Sequence, residues 1–206
     1  MRFLAASGIR QFLDIGSGMP TQGNVHEVAQ QADPAARVVY ADLDPVAIAH
    51  SKVILEGNDS AAVIDADLRE PEKIAGHEAV GRLIRPGEPT GLLLVAVLHF
   101  IADADDPWNL VAQLRDTLAP GSYLVLSHIA ATGDTPVVKA FEKAYNRTVS
   151  TPIRARPPAD ILRFFDGFEL VEPGLVYVPL WRPDAPADGP EDPSRFGNLV
   201  GVARKA

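Results

Sequence analysis

The stretch that decides the fold is residues 11–23, Gln-Phe-Leu-Asp-Ile-Gly-Ser-Gly-Met-Pro-Thr-Gln-Gly. Its apolar start predicts a buried strand, which Gly16 and Gly18 end, and an amphipathic pattern follows from Val25. The order is therefore strand, glycine loop and helix. Glycines let the backbone bend sharply and approach a ligand closely, because they carry no Cβ. Asp14 stands two residues before the first glycine, so we expect its carboxyl group to face the same crevice.

A second acidic residue favours a nucleoside ligand. Asp42 ends another apolar run, residues 38–41, and lies not far beyond the spacing of roughly 20 residues expected for an acid that binds ribose hydroxyls. A glycine pair after a strand is often only a tight turn. Together, the glycine loop and Asp42 indicate a ligand that contains a nucleoside.

The loop departs from the fingerprint of dinucleotide-binding proteins. That fingerprint has a third glycine and opens directly into a helix whose N-terminus faces a pyrophosphate. Here Pro20 and Thr21 follow Met19, and the helix begins only after Asn24, an N-cap with Glu27 as its capping-box partner. The sequence therefore predicts a long loop rather than a tight pyrophosphate turn.

Composition and charge limit the classes of partner. The chain has 206 residues, of which 47% are hydrophobic, and this predicts one domain, residues 1–206, with a full core. Its 19 basic and 27 acidic side chains give a net charge of −8 without a basic run, which disfavours nucleic acid. The absence of cysteine removes thiolate metal sites and cysteine nucleophiles and suits the cytoplasm. No segment predicts a membrane span or a signal peptide, and no metal is expected.

The rest of the chain alternates strands with helices. After the first strand, further strands are predicted at residues 37–42, 61–66, 92–97 and 123–127. Two final strands, residues 169–179 and 198–203, follow each other without a helix and predict an antiparallel hairpin at the sheet edge. This pattern predicts an α/β fold with a doubly wound, mostly parallel, seven-stranded sheet. A helix is expected from Thr135 and a flexible loop at residues 182–195.

Several motifs resemble those of class I S-adenosylmethionine-dependent methyltransferases, which have a Rossmann-like fold. The acid and glycines of Asp14-x-Gly16-x-Gly18 have the form of their cofactor loop. The turns at residues 118–122 and 166–171 resemble those before their fifth and sixth strands. More narrowly, residues 14–29, 95–101, 163–167, 172–176 and 181–183 are similar to a bacterial family of S-adenosyl methyltransferases, formerly a domain of unknown function, in which Pro20 is usual.

The resemblance implies S-adenosyl-L-methionine as the cofactor. Asp42 would accept hydrogen bonds from the ribose hydroxyls, Asp67 would meet the adenine amino group, and Asp44 is expected to cap a helix. Eight further residues are expected to complete the cofactor site: Asp14, Gly16, Ser17, Gly18, Leu43, Leu68, Ala96 and Val97. Members of the family usually carry a segment before the first strand that helps to cover the cofactor. This chain is therefore expected to bind it less tightly, with residues 147–158 as the lid.

The candidates for acceptor chemistry are histidines and arginines. His99 follows the fourth strand at the carboxyl edge of the sheet, where it would be a general base, line the pocket or bond to the backbone. His128 ends the fifth strand and is the weaker candidate. Arg147, Arg154 and Arg156 would clamp a carboxylate or phosphate of the acceptor, or belong to a solvated loop.

These observations favour methyl transfer to a small-molecule acceptor. The fourth strand is not followed by the aromatic-proline motif that grips a flipped-out amino base, and cytosine C5 chemistry needs a cysteine. Two alternatives stay open: a module that binds the cofactor with little or no catalysis, and a nicotinamide-dependent oxidoreductase.

Overall fold

The fold is an α/β sheet with helices on both faces. The computed structural model describes residues 1–132, 146, 152–183, 192–193 and 197–206. Within these ranges the strands are β1 (Gln11–Ile15), β2 (Arg37–Asp42), β3 (Ala61–Asp65), β4 (Gly91–Val95), β5 (Tyr123–Ile129), β6 (Glu169–Leu170), β7 (Val176–Tyr177) and β8 (Asn198–Arg204). The sheet order is β3-β2-β1-β4-β5-β8-β6, and β7 also pairs with β8. The first five strands are parallel and β8 is antiparallel to its neighbours, which confirms the predicted fold class.

The helices begin where the sequence provides caps. They are α1 (Arg2–Ala6), α2 (Val25–Ala32), α3 (Pro45–Ile54), α4 (Pro71–Ala75), α5 (Glu78–Leu83), α6 (Pro107–Thr117) and α7 (Pro158–Leu162). Asn24 and Glu27 form the predicted capping box of α2. The Asp44 carboxylate accepts a hydrogen bond of 2.8 Å from the Val46 amide and caps α3, as expected. The helix expected from Thr135 lies outside the described residues.

The predicted strand at residues 169–179 is interrupted, so the described sheet has eight strands instead of seven. β6 and β7 each pair two residues with β8. Between them the chain turns, and the Gly174 amide donates to the Val171 carbonyl at 2.8 Å. Pro173 lies in this turn and has no N–H to donate to a strand ladder, which accounts for the break. Because β8 also pairs with β5, it lies inside the sheet, and β6 and β7 form the edge.

The core consists of two layers, one on each face of the sheet. Along β4, Leu92 and Leu94 belong to the larger layer, which α6 and α7 help to build, and Leu93 belongs to the smaller layer with α1. All three are nearly or fully buried, as expected for a central strand covered on both faces. This packing fixes the carboxyl ends of β1, β2, β3 and β4 along one edge, where ligands of such sheets bind. In the described ranges, no helix is long and apolar enough to span a bilayer.

Candidate functional site

The glycine loop is held against the segment that follows β4. Gly16 has a φ of +72°, which L side chains rarely adopt, and a Cβ at this position would collide with the Val97 side chain. The Gly16 amide donates to the Ala41 carbonyl at 2.8 Å. Gly16 thus lies where the ends of β1 and β2 meet the segment after β4. The predicted site residues Gly16 and Val97 are in direct proximity.

Asp42 lies at the end of β2 and faces the glycine loop, as predicted. The Gly18 amide donates to its Oδ2 at 2.6 Å, and the Asp44 amide donates to its Oδ1 at 2.9 Å. A carboxylate offers about four lone-pair positions. Both oxygens therefore keep capacity for further donors, such as a pair of vicinal hydroxyl groups.

Asp14 is a buried acid without a hydrogen-bonding partner. It is 8% exposed, and no hydrogen bond from the described residues reaches its carboxyl group. Burial, and then the neighbouring charge of Asp42, raises the pKa of Asp14 to about 7. It lines a cavity of about 170 Å³ between the glycine loop, β2 and α3. The buried Ser17 hydroxyl, which also lines this cavity, has no hydrogen-bonding partner among the described residues.

The third acid, Asp67, follows β3 and is held close to Asp42. The Ala66 amide donates to the Asp42 carbonyl at 3.0 Å, which ties the two strand ends together. Burial opposes ionisation of Asp67, but hydrogen bonds and charge from Arg69 outweigh it and lower the pKa of this carboxyl group. Arg69 is a partner of this candidate site residue that the sequence did not indicate. The only available signal was its position two residues after an acid, where its amide can close a local turn.

The apolar residues predicted beside these acids differ in exposure. Leu43, after Asp42, is 51% exposed and can contact a ligand with its side chain. Leu68 is 4% exposed and packs in the larger core layer, so that only its backbone is available to a ligand. The sequence could not distinguish these two leucines, because both simply follow an acid at a strand end.

The segment after β4 turns sharply at Ala96. This residue has a φ of +57°, a left-handed conformation that costs a non-glycine residue about 1–2 kcal/mol. Its amide donates to the Ser127 hydroxyl at 3.0 Å, and this hydrogen bond to β5 stabilises the turn. The turn brings Val97 close to Gly16, and a role of Ala96 and Val97 in binding a cofactor stays a prediction.

His99 lies beyond this turn and is 6% exposed. Burial, and then the charge of Arg156, lowers the pKa of His99 to about 4. Its Nδ1 atom has no partner within the described part of the chain. A base with this pKa is weak at neutral pH, which disfavours proton abstraction by His99.

His128 and Arg156 form a buried structural pair. The ring of His128 is within hydrogen-bonding distance of the Ile129 carbonyl through Nδ1 (2.7 Å) and of the Arg156 guanidinium through Nε2 (2.8 Å). Since a carbonyl only accepts and a guanidinium only donates, we assign the proton to Nδ1. Burial is the main cause that lowers the pKa of His128 to about 3, and the ring is therefore neutral.

Neither interpretation of Arg156 from the sequence is correct. It is 2% exposed, so it belongs to no solvated loop and cannot reach an acceptor. Its guanidinium donates to the Leu98 and Ile101 carbonyls at 2.9 and 2.8 Å and to the Asp103 carboxylate at 2.7 Å. It thus holds the loop after β4 in place.

The described part of the expected lid, residues 152–158, is anchored to the fold. The Arg154 amide donates to the His99 carbonyl at 2.7 Å, and its half-exposed side chain lies 3.7 Å from Asp103. Arg147 and residues 148–151 lie outside the described residues. A closing movement of the whole segment would have to break these contacts, and the lid stays a prediction.

The cofactor that the sequence resemblance implies can be tested against this geometry. S-adenosylmethionine combines a nucleoside with a positively charged methionine end. The loop provides a close backbone approach at Gly16, the Asp42 carboxylate has free acceptor capacity, and the buried acid Asp14 has no hydrogen-bonding partner among the described residues. Two acids and a nearby apolar side chain, Leu43, fit such a ligand. Among the described residues, no group of three or more metal-binding side chains comes together.

Comparisons with known proteins agree with this arrangement. A sequence model of a family described as S-adenosyl methyltransferase matches residues 1–206. A methyltransferase candidate from Thermobifida fusca YX is 43% identical with a TM-score of 0.90, over 99% of this chain and 76% of that one. A DUF574-family protein from Streptomyces avermitilis MA-4680 is 36% identical with a TM-score of 0.92, over 100% and 79% of the two chains. No curated protein matched the sequence.

A more distant structure shares the fold alone. The N-methyltransferase NodS from Bradyrhizobium japonicum WM9, solved with S-adenosyl-L-homocysteine, is 14% identical with a TM-score of 0.57, over 98% of this chain and 82% of that one. None of the comparisons gives support to an oxidoreductase. With a family match over its whole length and two similar structures above 30% identity, the chain belongs to the S-adenosyl methyltransferase family.

Proposed function

We propose that this protein transfers a methyl group from S-adenosylmethionine to a small-molecule acceptor. The observation that carries the proposal is the contact of 2.6 Å between the Gly18 amide and the Asp42 carboxylate, close to the buried carboxyl group of Asp14. Together these residues form a crevice with a close backbone approach and two acids for hydroxyl groups and positive charge.

The proposed roles follow the order of the strands. Asp42 accepts the ribose hydroxyls, and Asp67 accepts the adenine amino group. Leu43 covers one face of the base, and Asp14 faces the positively charged methionine end. The backbone of residues 16–18 contacts the ligand, and Ala96 and Val97 form the wall of the crevice on the side of β4.

The contribution of the protein to methyl transfer is alignment. The bound cofactor supplies an activated methyl group on its sulfonium, and the acceptor atom must be held in line with it. Correct positioning of two reactants contributes about 7–11 kcal/mol at best. The rigid turn at Ala96, supported by Ser127, and the anchored loop that carries His99 are suited to this task.

We propose that the acceptor is a small, partly apolar molecule. Val95 and Phe100 are 43% and 38% exposed, and the neutral ring of His99 lies between them in the sequence. The net charge is −8, and the sequence contains no basic run of the kind that binds nucleic acid. We therefore propose no nucleic-acid or membrane partner. We also propose that the protein acts in the cytoplasm, a reducing compartment with which a cysteine-free chain is compatible.

The proposal is tested by calorimetric titration with S-adenosylmethionine, S-adenosylhomocysteine and NAD. We expect the two adenosyl ligands to bind and NAD to give no heat of binding. Asp42→Ala should weaken binding of S-adenosylhomocysteine by about 1.5–3 kcal/mol, the range for hydrogen bonds to a charged group. Asp59→Ala, which removes an exposed acid outside the crevice, is the matched control and should leave affinity unchanged.

Two results would contradict the assignment. If Asp42→Ala binds with unchanged affinity, the ribose is not held by Asp42, and Asp44 becomes the candidate. If NAD binds more tightly than both adenosyl ligands, the site is not a methyltransferase site. A protein that binds the adenosyl ligands but transfers no labelled methyl group to a broad set of small-molecule acceptors would instead be the cofactor-binding module.

A further inference from the structure

Arg69 holds the Asp67 carboxylate with several donors at once. The Arg69 amide donates to Oδ1 of Asp67 at 2.9 Å, and Nε of Arg69 lies 3.0 Å from Oδ1 and 2.9 Å from Oδ2. One terminal nitrogen, Nη2, lies 2.6 Å from Oδ2. A planar guanidinium that meets a carboxylate along its edge fixes the orientation of that carboxylate as well as its charge.

The environment of the pair explains why this orientation matters. The side chain of Asp67 is 18% exposed and that of Arg69 is 51% exposed, so the exposed arginine contacts a partly buried acid. Asp67, and more weakly Asp105 in the turn after β4, raises the pKa of Arg69. A weaker contribution in the same direction comes from the charge of Glu70, so the guanidinium stays charged.

We propose that Arg69 is a positioning residue that makes the site select adenine over hypoxanthine, by fixing the orientation and the charge of the Asp67 carboxylate. This inference rests on the proposed function, in which Asp67 meets position 6 of the base. It adds to that function a residue that determines how strictly the base is recognised.

The selectivity follows from the donors and acceptors of the two bases. Adenine carries an amino group at position 6, which donates to a carboxylate. Hypoxanthine carries a carbonyl there, which only accepts, and its adjacent N1 carries a proton. A freely rotating carboxylate could turn from position 6 to the N1–H group and accept hypoxanthine. A carboxylate held by Arg69 instead faces the carbonyl oxygen of hypoxanthine. Because the carboxylate and the carbonyl are both acceptors and no donor lies between them, binding of hypoxanthine is disfavoured.

The test compares two ligands that differ only in the base, S-adenosylhomocysteine and S-inosylhomocysteine. For the unchanged protein we expect the dissociation constant of the inosyl ligand to be about 10–100 times higher, as for loss of a hydrogen bond to a charged group. Arg69→Ala should reduce this ratio by about tenfold, mainly through tighter binding of the inosyl ligand. Arg69→Lys should retain part of the ratio, because an ammonium group keeps the charge without the planar fork.

A matched control and a change of pH separate positioning from a merely structural effect. Arg82→Ala, an exposed arginine of α5 whose contact is a bond of 3.3 Å to the Asp59 carbonyl, should leave the ratio unchanged. The ratio of the unchanged protein should stay constant between pH 5 and pH 8, because hydrogen bonds from Arg69 lower the pKa of Asp67. In Arg69→Ala the ratio should depend more on pH, because the substitution removes hydrogen bonds that lower the pKa of Asp67.

The inference is overturned if Arg69→Ala keeps the ratio of the unchanged protein at both pH 5 and pH 7. It is equally overturned if the substitution weakens both ligands by the same factor, since that pattern indicates a structural role only. Failure of the unchanged protein to bind S-adenosylhomocysteine at all would be a different result, because it would reject the proposed function itself.

Discussion

Replacing Asp14 with asparagine should stabilise the protein, and increasingly so as the pH rises. In the unfolded chain this carboxyl group ionises with its ordinary pKa of 3.8, whereas burial and the charge of Asp42 raise the pKa to about 7 in the fold. The folded state therefore binds a proton more tightly than the unfolded state. Stability contributed by this group is present below pH 3.8 and is lost as the pH rises through about 7.

The magnitude follows from the size of the rise in pKa. At 1.36 kcal/mol per pH unit, a rise from 3.8 to about 7 corresponds to about 4 kcal/mol. This is an upper value, because structural relaxation and entering water reduce the cost of a buried charge. Asparagine has the shape of aspartic acid but no charge. We therefore expect the difference in unfolding free energy between Asp14→Asn and the unchanged protein to grow by up to about 4 kcal/mol between pH 4 and pH 8.

The assay is urea unfolding of both proteins at several values of pH, without ligand, with Asp59→Asn as a control for an exposed acid. A difference that is the same at pH 4 and pH 8 would refute the reasoning, because it would show that Asp14 has no raised pKa. A variant that becomes less stable as the pH rises would refute it as well. The proposed function adds a second expectation, namely that the more stable Asp14→Asn binds S-adenosylhomocysteine less tightly.

Two further substitutions test the supports of the site. Arg156→Met should lower the free energy of unfolding by about 3–5 kcal/mol, because it leaves buried acceptors without a donor. Arg163→Met, at an exposed arginine, should have little effect. If urea unfolding shows equal stability of the two variants, the role of Arg156 is contradicted. Gly16→Ala should weaken binding of S-adenosylhomocysteine and destabilise the fold by about 1–3 kcal/mol, because the added Cβ meets Val97 in a strained backbone. Gly81→Ala, in a helix with open space around it, should be neutral or stabilising, and a Gly16→Ala variant that behaves the same way in calorimetry and unfolding would contradict the close approach.

Local signals in the sequence predicted much of the fold and of the site. The capping box of Asn24 and Glu27 and the Asp44-Pro45 pair mark the beginnings of α2 and α3, because caps depend on neighbours within a few residues. The meeting of Asp42 with the glycine loop could also be predicted. Parallel strands that alternate with helices bring their carboxyl ends to one edge, whatever the details of packing.

Features that depend on distant contacts could not be predicted. Arg156 is buried because its partners, in β5 and in the segment after β4, are 28 to 58 residues away, and the residues around it in the sequence give no sign of them. The left-handed turn at Ala96 depends on the hydroxyl group of Ser127 in the next strand. The break between β6 and β7 was not predicted, because the apolar residues on both sides of Pro173 are typical of one continuous strand. Proline has no N–H to donate to a neighbouring strand, and the strand is interrupted there.

The central claim is that the cofactor binds across the carboxyl ends of the first four strands with its ribose on Asp42. A crystal structure of the protein with S-adenosylhomocysteine tests this claim most directly. We expect both ribose hydroxyls within hydrogen-bonding distance of the Asp42 carboxylate and the adenine amino group facing Asp67. A complex in which the ribose contacts neither Asp42 nor the loop at residues 16–18 would contradict it.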